Sequence, residues 1–222
     1  MIFSNRYTMP LAVIFCISLL SSCTTDNETS LSSSSQYSVI HGEPVTYGGE
    51  VYETVVIGNQ TWMAKNLNYN IPNNDTDICY NKDSVNCAKY GRLYNWYTAK
   101  TACPKGWHLP SDADWDELVN YVENENGCYG CAGIYLKATS GWNEDGNGED
   151  KYGFFALPGG INSLDSSFRD IGDYGVWWSS NACYEYNAYG RIMYHAYDYA
   201  YYDVGDKETL LSVRCVKDIW NP

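Results

Sequence analysis

The sequence predicts a single α+β domain of about 175 residues with two early helices, short antiparallel strands and long loops. A capped amphipathic stretch ends at Gly127, and a shorter helical stretch precedes it. Beyond Gly127 the pattern changes to short strand-like runs with frequent glycines. Helices that are concentrated before Gly127 and short strands that are concentrated after it are typical of an α+β fold.

The first 22 residues are predicted to be a signal peptide that is not part of the fold. Arg6 precedes an apolar run at residues 11–20, which is too short to form a stable transmembrane helix. The run ends in Leu-Ser-Ser-Cys at residues 20–23, which resembles the lipobox of bacterial lipoproteins and makes Cys23 the lipidated first residue after cleavage. Several acyl chains on one cysteine would anchor the protein stably to a membrane. The alternative is an ordinary secretory signal that leaves Cys23 as a plain thiol.

Residues 23–46 are rich in Ser, Thr and Asn, so they are predicted to form a flexible tether before a domain at residues 47–222. Thr24 stands where an inner-membrane retention signal would prefer Asp, which favours the outer membrane or cell surface. The formal net charge of −13 argues against nucleic acid and anionic lipid as partners.

The first half of the domain carries a local signal for each element. Two strands are predicted at residues 51–57 and 61–64, joined by a tight Gly-Asn-Gln turn. A polar loop containing Cys79 and Cys87 follows them. A short helix is then predicted to begin near Tyr90 and to end near Ala102.

The clearest helix is predicted to begin after Ser111. Ser111 is a good N-cap, and Asp114 stands three residues later in a first turn that carries negative charge. Gly127 stands where the helix would end. One apolar stripe runs along the helix at positions i, i+3, i+4 and i+7: Trp115, Leu118, Val119 and Val122.

Strands are predicted in the second half near residues 176–180, 191–202 and 211–216, and the middle run is dense in tyrosine. Tyr197, Tyr199 and Tyr201 alternate with other residues, so on a strand they would share one face. Exposed tyrosines suit stacking on sugar rings or anchoring a protein partner. The candidate ligand-binding residues are Tyr194, Tyr197, Tyr199, Tyr201, Trp142 and Trp178. The alternative is a tyrosine-rich sheet packed against the helices.

Seven stretches of the domain, taken together and in this order, resemble a known family. They are Thr-Val-Val-Ile-Gly-Asn-Gln-Thr-Trp-Met-Ala at 54–64, Tyr-Gly-Arg-Leu-Tyr-Asn-Trp at 90–96, Cys-Pro-Lys-Gly-Trp-His-Leu-Pro-Ser at 103–111, Leu-Lys-Ala-Thr-Ser-Gly-Trp at 136–142, Tyr-Gly-Phe-Phe-Ala-Leu-Pro-Gly-Gly at 152–160, Trp-Trp-Ser at 177–179 and Ser-Val-Arg-Cys-Val-Lys-Asp at 212–218. The chain resembles the Fibrobacter succinogenes major paralogous domain family of bacterial surface proteins, which has no established activity.

The resemblance implies a C-type lectin-like fold, a plan shared with formylglycine-generating enzymes. In such folds a cysteine at a helix start joins one in the last strand, which implies a disulfide between Cys103 and Cys215. The calcium motifs of the lectins have no convincing copy here, so calcium-dependent sugar binding is not carried over.

Seven cysteines follow Cys23, and in an exported protein they predict disulfides. Cys79 and Cys87 are predicted to close a short loop. Cys128 and Cys131 could form a redox or zinc site, but zinc needs a second pair at similar spacing, so a small loop disulfide is favoured. These pairs leave Cys183 as a free thiol.

A glycine-rich loop at residues 143–150 offers oxygen ligands of the kind that calcium needs, notably Asp145, Asn147 and Asp150. The loop lacks the spacing and the final glutamate of an EF-hand, so ordinary turn chemistry is the favoured interpretation. The sequence therefore predicts no cofactor other than this weak calcium candidate.

Two classes of function remain open from the sequence. His41, His108 and His195 are the only histidines, and neither they nor the cysteines stand at a spacing that indicates a catalytic site. A non-catalytic surface module that binds glycan or protein is therefore favoured. The alternative is an enzyme of the formylglycine-generating type or an unrecognised hydrolase.

Overall fold

The computed structural model describes residues 38–72 and 76–219, so the signal peptide and the lipidation candidate Cys23 lie outside the described residues. The described part contains four α-helices: α1 (Ser84–Tyr90), α2 (Trp96–Ala102), α3 (Asp112–Asn126) and α4 (Ala132–Leu136). No helix among these residues is long and apolar enough to cross a membrane. The strands are β1 (Val45–Tyr47), β2 (Glu50–Tyr52), β3 (Thr54–Ile57), β4 (Gln60–Met63), β5 (Asp77–Ile78), β6 (Leu93–Tyr94), β7 (Trp107–His108), β8 (Gly159–Asn162), β9 (Phe168–Ile171), β10 (Tyr174–Ala182), β11 (Asn187–Tyr194), β12 (Ala200–Asp206), β13 (Leu211–Ser212) and β14 (Val216–Lys217).

The strands form two main sheets, and the fold is α+β as predicted. The larger sheet has the order β12-β11-β10-β13-β6-β5, in which only the β10–β13 pair is parallel. The smaller sheet has the order β3-β4-β14-β7. Two hairpins, β1–β2 and β8–β9, stand beside them, and β12 forms a free edge of the larger sheet.

Strand β10 is buried on both faces because the larger sheet lies between two apolar clusters. Trp177 packs with Trp115 and Leu118 of α3 on one face. Its neighbour Trp178 points to the other face and packs with Tyr94 and Leu211. Both indoles are fully buried, as expected for a strand that is covered on both sides.

Helix α3 begins and ends where the sequence predicts. Ser111 and Asp114 form a reciprocal capping box, and Gly127 ends the helix in the left-handed conformation. The helix that was predicted to begin near Tyr90 is α2, which begins at Trp96 after the short strand β6. Neither α1 nor the five-residue α4 carries a strong enough apolar period to be predicted.

Ordered structure begins earlier than the predicted boundary at Tyr47. The Gly42 amide donates to the Thr54 carbonyl, the Val56 amide donates to the Ile40 carbonyl, and His41 forms a bridge with Val55. Part of the predicted tether is therefore paired with β3. Backbone pairing needs no apolar side chains, which is why composition alone missed it.

A buried arginine joins stretches that are far apart in the sequence. The Arg214 guanidinium donates to the Asn66 side-chain oxygen from Nε at 3.0 Å and from Nη2 at 2.7 Å. It also donates to the carbonyls of Met63, Phe154 and Phe155. The Asn66 oxygen accepts a third hydrogen bond, from Trp177 Nε1 at 2.7 Å. Burial lowers the pKa of Arg214 to about 9.

Three cysteine pairs are joined, in the arrangement that the sequence and the resemblance predict. Cys103–Cys215 spans 112 residues with Cα atoms 5.9 Å apart, and Cys79–Cys87 spans 8 residues with Cα atoms 4.9 Å apart. Cys128–Cys131 closes the short segment between α3 and α4. Cys183 is a free, half-buried thiol.

Candidate functional site

Five tyrosine rings form a continuous arc on the surface at one end of β10, β11 and β12. Tyr174 stacks on Tyr194 at a centroid distance of 4.4 Å, and Tyr194 meets Tyr197 edge to face at 5.3 Å. Tyr197 stacks on Tyr199 at 4.9 Å, and Tyr199 meets Tyr201 at 5.1 Å. We call these five residues the tyrosine arc. Tyr197, Tyr199 and Tyr201 are 47%, 37% and 36% exposed, so ring surface is available to a ligand.

The arc is not the alternating strand that the sequence predicts. Only Tyr201 lies in β12, whereas Tyr197 and Tyr199 lie in the connection between β11 and β12. Their rings nevertheless come together, because Tyr174 of β10 lies directly opposite Tyr194 of β11 in the sheet. Tyr174 was not a sequence candidate, and only strand pairing reveals it.

A groove of about 510 Å³ adjoins the arc and is lined by the tyrosines at its two ends, Tyr174 and Tyr201. Its floor includes Val176, Ile192 and Leu211, which lie on one face of the larger sheet. The rim carries the carboxylates of Asp170 and Asp203. An apolar floor, aromatic walls and a few polar groups are the usual composition of a small-molecule site.

The hydroxyl groups of Tyr174, Tyr194 and Tyr201 stay protonated at neutral pH. Loss of solvent contact raises the pKa of Tyr174, Tyr194 and Tyr201, and nearby acidic or phenolic groups raise it further. Each of these hydroxyls therefore remains a hydrogen-bond donor as well as an acceptor.

A buried lysine holds the connection that carries the arc. Lys137, directly after α4, points its ammonium group at the carbonyls of Tyr194, His195 and Tyr197, with Nζ–O distances of 3.4, 3.4 and 3.0 Å. Its pKa is lowered by burial, an effect that Asp198 partly opposes. The ammonium also lies 5.3 Å from the Trp142 ring centroid.

Helix α4 supports the same connection at close range. The Ile134 amide donates to the Asp198 carbonyl at 3.0 Å. A Cβ on Gly133 would lie 2.6 Å from the Tyr199 carbonyl oxygen, so only glycine allows this approach. The arc is thus displayed by a connection fixed at several points rather than by a free loop.

Both tryptophans that were candidate ligand-binding residues are buried, so that prediction is wrong. Trp142 is 5% exposed and donates from its indole nitrogen to the Ala156 carbonyl. Trp178 is fully buried and donates to the Tyr94 carbonyl. An indole N–H that finds a backbone carbonyl can be buried without loss, which the sequence does not reveal.

The candidate calcium loop uses its polar side chains for turn structure. The Asn147 side-chain oxygen accepts from the Trp142 amide, and Asp150 accepts from the Phe155 amide. Burial raises the pKa of Asp150 to about 6, although Phe155 and Arg214 favour its charged form. Asp145 is exposed. Within residues 38–72 and 76–219, no three His, Cys, Asp or Glu residues are grouped closely enough to hold a metal ion.

His108 and His195 are engaged in ways that do not resemble a nucleophile and its base. His108 Nδ1 lies 2.7 Å from Asp218, and Nε2 lies 3.3 Å from Asp114. The hydroxyl of Ser111 donates to Asp114 rather than to the imidazole. His195 is buried, with a carboxylate 3.9 Å from each ring nitrogen.

Comparison with known proteins gives a family. The model of the Fibrobacter succinogenes major domain matches residues 55–217, well over half of the chain. Searches of curated proteins and of solved structures found no match. The matched range includes every strand from β4 to β14, the tyrosine arc, the groove and the Arg214 network. This chain therefore belongs to the Fibrobacter succinogenes major domain family.

Proposed function

We propose that this protein is an exported lipoprotein whose domain is a non-catalytic binding module for glycans. The tyrosine arc and the adjoining groove are its binding surface. We further propose that the α+β domain is a variant of the C-type lectin-like fold, as the resemblance and the long disulfide suggest.

The observation that carries the proposal is the contiguity of the five rings. Each ring of the arc lies within 5.3 Å of the next, and the first and last rings line the groove. Tyrosines combine a flat apolar face with a polar hydroxyl, which matches the alternation of C–H and O–H groups on a sugar. Because Lys137 and α4 fix the connection, little ordering entropy is lost on binding.

A glycan suits this surface better than a protein ligand with a flat interface would. The groove is concave, and the carboxylates of Asp170 and Asp203 can accept hydrogen bonds from sugar hydroxyls. The net charge of −13 disfavours anionic polymers. A protein ligand is the alternative within the same class.

The alternative enzyme class is less well supported. Formylglycine-generating chemistry would need a dedicated cysteine pair near the carboxyl end, whereas Cys215 is joined to Cys103. The ring nitrogens of His108 and His195 face carboxylates, as set out above, rather than a nucleophile.

A glycan array probed with the detergent-solubilised chain tests the proposal. We expect binding to oligosaccharides, and we expect Tyr197→Ala and Tyr199→Ala each to weaken it about 5- to 50-fold, as loss of an anchoring aromatic does. Tyr184→Ala is the matched control, because Tyr184 is 73% exposed and lies outside the arc. Binding that survives loss of both Tyr197 and Tyr199 would contradict the proposed site, and absence of any binding on the array would leave the protein ligand as the alternative.

Export and anchoring are proposed from the Leu-Ser-Ser-Cys motif at residues 20–23. The proposed location is the outer membrane or cell surface. A fatty-acid analogue should label the wild-type chain and not Cys23→Ala.

A further inference from the structure

The groove beside the tyrosine arc has a one-sided charge. Asp170 and Asp203 line it, and none of the described residues that line it is Lys, Arg or His. The remaining lining is apolar, aromatic, glycine or threonine. Among the residues that the structure describes, a ligand in the groove therefore meets two carboxylates and no cationic side chain.

Neither carboxylate forms an ion pair with a residue that the structure describes. No described residue forms a hydrogen bond or an ion pair with the Asp170 side chain, whereas the adjacent Arg169 is paired with Asp165. Asp203 accepts one hydrogen bond, from the Val204 amide, and forms no ion pair with a described residue. Loss of solvent contact raises the pKa of Asp170, and Asp173 raises it further, although Arg169 opposes both effects. A cation in the groove would stabilise the charged form of Asp170 and so offset its loss of solvent contact.

Aromatic faces add a second attraction for a cation. Tyr174 and Tyr201 stand in the same groove as the two carboxylates. An ammonium near a tyrosine face is attracted by the ring quadrupole, and the attraction grows when water is excluded. Carboxylates and aromatic rings around an apolar floor together match an amine carried on a sugar ring.

We propose that the groove selects glycans that carry free, unacetylated amino groups. This inference rests on the proposed glycan-binding function and names its ligand class. The sugar rings stack on the tyrosine arc, and the ammonium groups lie between Asp170 and Asp203.

Two oligosaccharides that differ only in acetylation test the inference. Hexamers of β-1,4-linked glucosamine and of N-acetylglucosamine are titrated into the detergent-solubilised full chain in mildly acidic, low-salt buffer. We expect the free amine to bind about ten-fold more tightly, the effect of two partly exposed ion pairs. The preference should shrink in high salt, because exposed charges are screened. Salt dependence is read on the wild-type chain and requires no variant.

The variant Asp170→Asn/Asp203→Asn should lose the preference, because its amide oxygens still accept hydrogen bonds from sugar hydroxyls but carry no charge that attracts an ammonium group. Glu53→Gln/Glu117→Gln is the matched control, because it removes the same charge from exposed positions outside the groove. Equal affinity of the wild type for both hexamers, or a preference unchanged in Asp170→Asn/Asp203→Asn, would overturn the inference and leave glycan binding intact. Failure of every oligosaccharide to bind would overturn the proposed function as well.

Discussion

A single residue, His108, connects the start of α3 to the last part of the domain through charge. Its ring nitrogens contact Asp114 at the start of α3 and Asp218 after β14. The hydrogen bond to Asp114 is the main cause that raises the pKa of His108, and Asp218 adds to it, while burial opposes both. Burial would raise the pKa of Asp114, but hydrogen bonds from His108 and Ser111 lower it to about 2.

These shifts predict opposite pH dependences for the two residues. The folded pKa of His108 lies above its unfolded value of about 6.5, so its stabilisation is complete below that pH and is lost as the pH rises through the folded pKa. Asp114 stabilises the fold above its unfolded pKa of about 3.8, and this is lost as the pH falls toward about 2.

We therefore expect His108→Gln to lower the free energy of unfolding more at pH 6 than at pH 9. The difference should be below about 1 kcal/mol, because His108 is 41% exposed. Urea unfolding at both pH values measures it. His41→Gln is the control, since its imidazole makes no hydrogen bond or ion pair with the described residues. An equal loss of free energy of unfolding at both pH values would show that the ion pairs of His108 do not contribute to stability.

At the scale of elements, the tyrosine arc depends on the contact between α4 and the β11–β12 connection. Lys137→Met keeps the length of the side chain but removes the ammonium group that donates to the carbonyls of Tyr194, His195 and Tyr197. The Tyr194 carbonyl still accepts from the Tyr197 amide, so the carbonyls of His195 and Tyr197 lose most. We expect a loss of about 1–3 kcal/mol in stability, the cost of unsatisfied buried carbonyls. Hydrogen exchange at residues 194–199 should accelerate, and glycan affinity should fall with it.

Lys105→Met is the matched control, because Lys105 is exposed and distant in sequence from α4. Unchanged exchange at residues 194–199 in Lys137→Met would mean that the sheet alone fixes the connection. Unchanged glycan affinity with faster exchange would mean that the arc binds without being pre-ordered.

Elements with a local signal could be predicted from the sequence, and those that depend on tertiary contacts could not. The capping box at Ser111, the apolar stripe and Gly127 define α3 without reference to the rest of the chain. Helix α4 is five residues long, and its position depends on close contact between Gly133 and the β11–β12 connection. The same difference explains the site, where tyrosine density indicated the region. Strand pairing places Tyr174 opposite Tyr194, and packing against Tyr94 and Leu211 buries Trp178.

At the scale of the whole molecule, one buried hydrogen-bond network joins segments that match the family and lie far apart in the sequence. Arg214 and Asn66 hold β4, β10 and the segment between β13 and β14 together through shared hydrogen bonds. Cys215, the next residue, ties that segment to Cys103 at the end of α2. The network is fully hydrogen-bonded, so the buried charge specifies one arrangement of segments that are far apart in the sequence.

The cysteine pairs should therefore differ in their contribution to stability according to the length of chain they close. On the chain-entropy model, Cys103–Cys215 restricts the unfolded state by about 4–5 kcal/mol and Cys79–Cys87 by about 2.5 kcal/mol. We expect Cys103→Ala/Cys215→Ala to lower the free energy of unfolding in urea by the larger amount, with a further loss because Cys215 is fully buried. Cys79→Ala/Cys87→Ala is the matched control. The reduced wild-type chain separates the loss of the cross-links from the loss of side-chain volume. Equal costs for the two double variants would contradict the chain-entropy account and would leave local packing as the main contribution of both cysteine pairs.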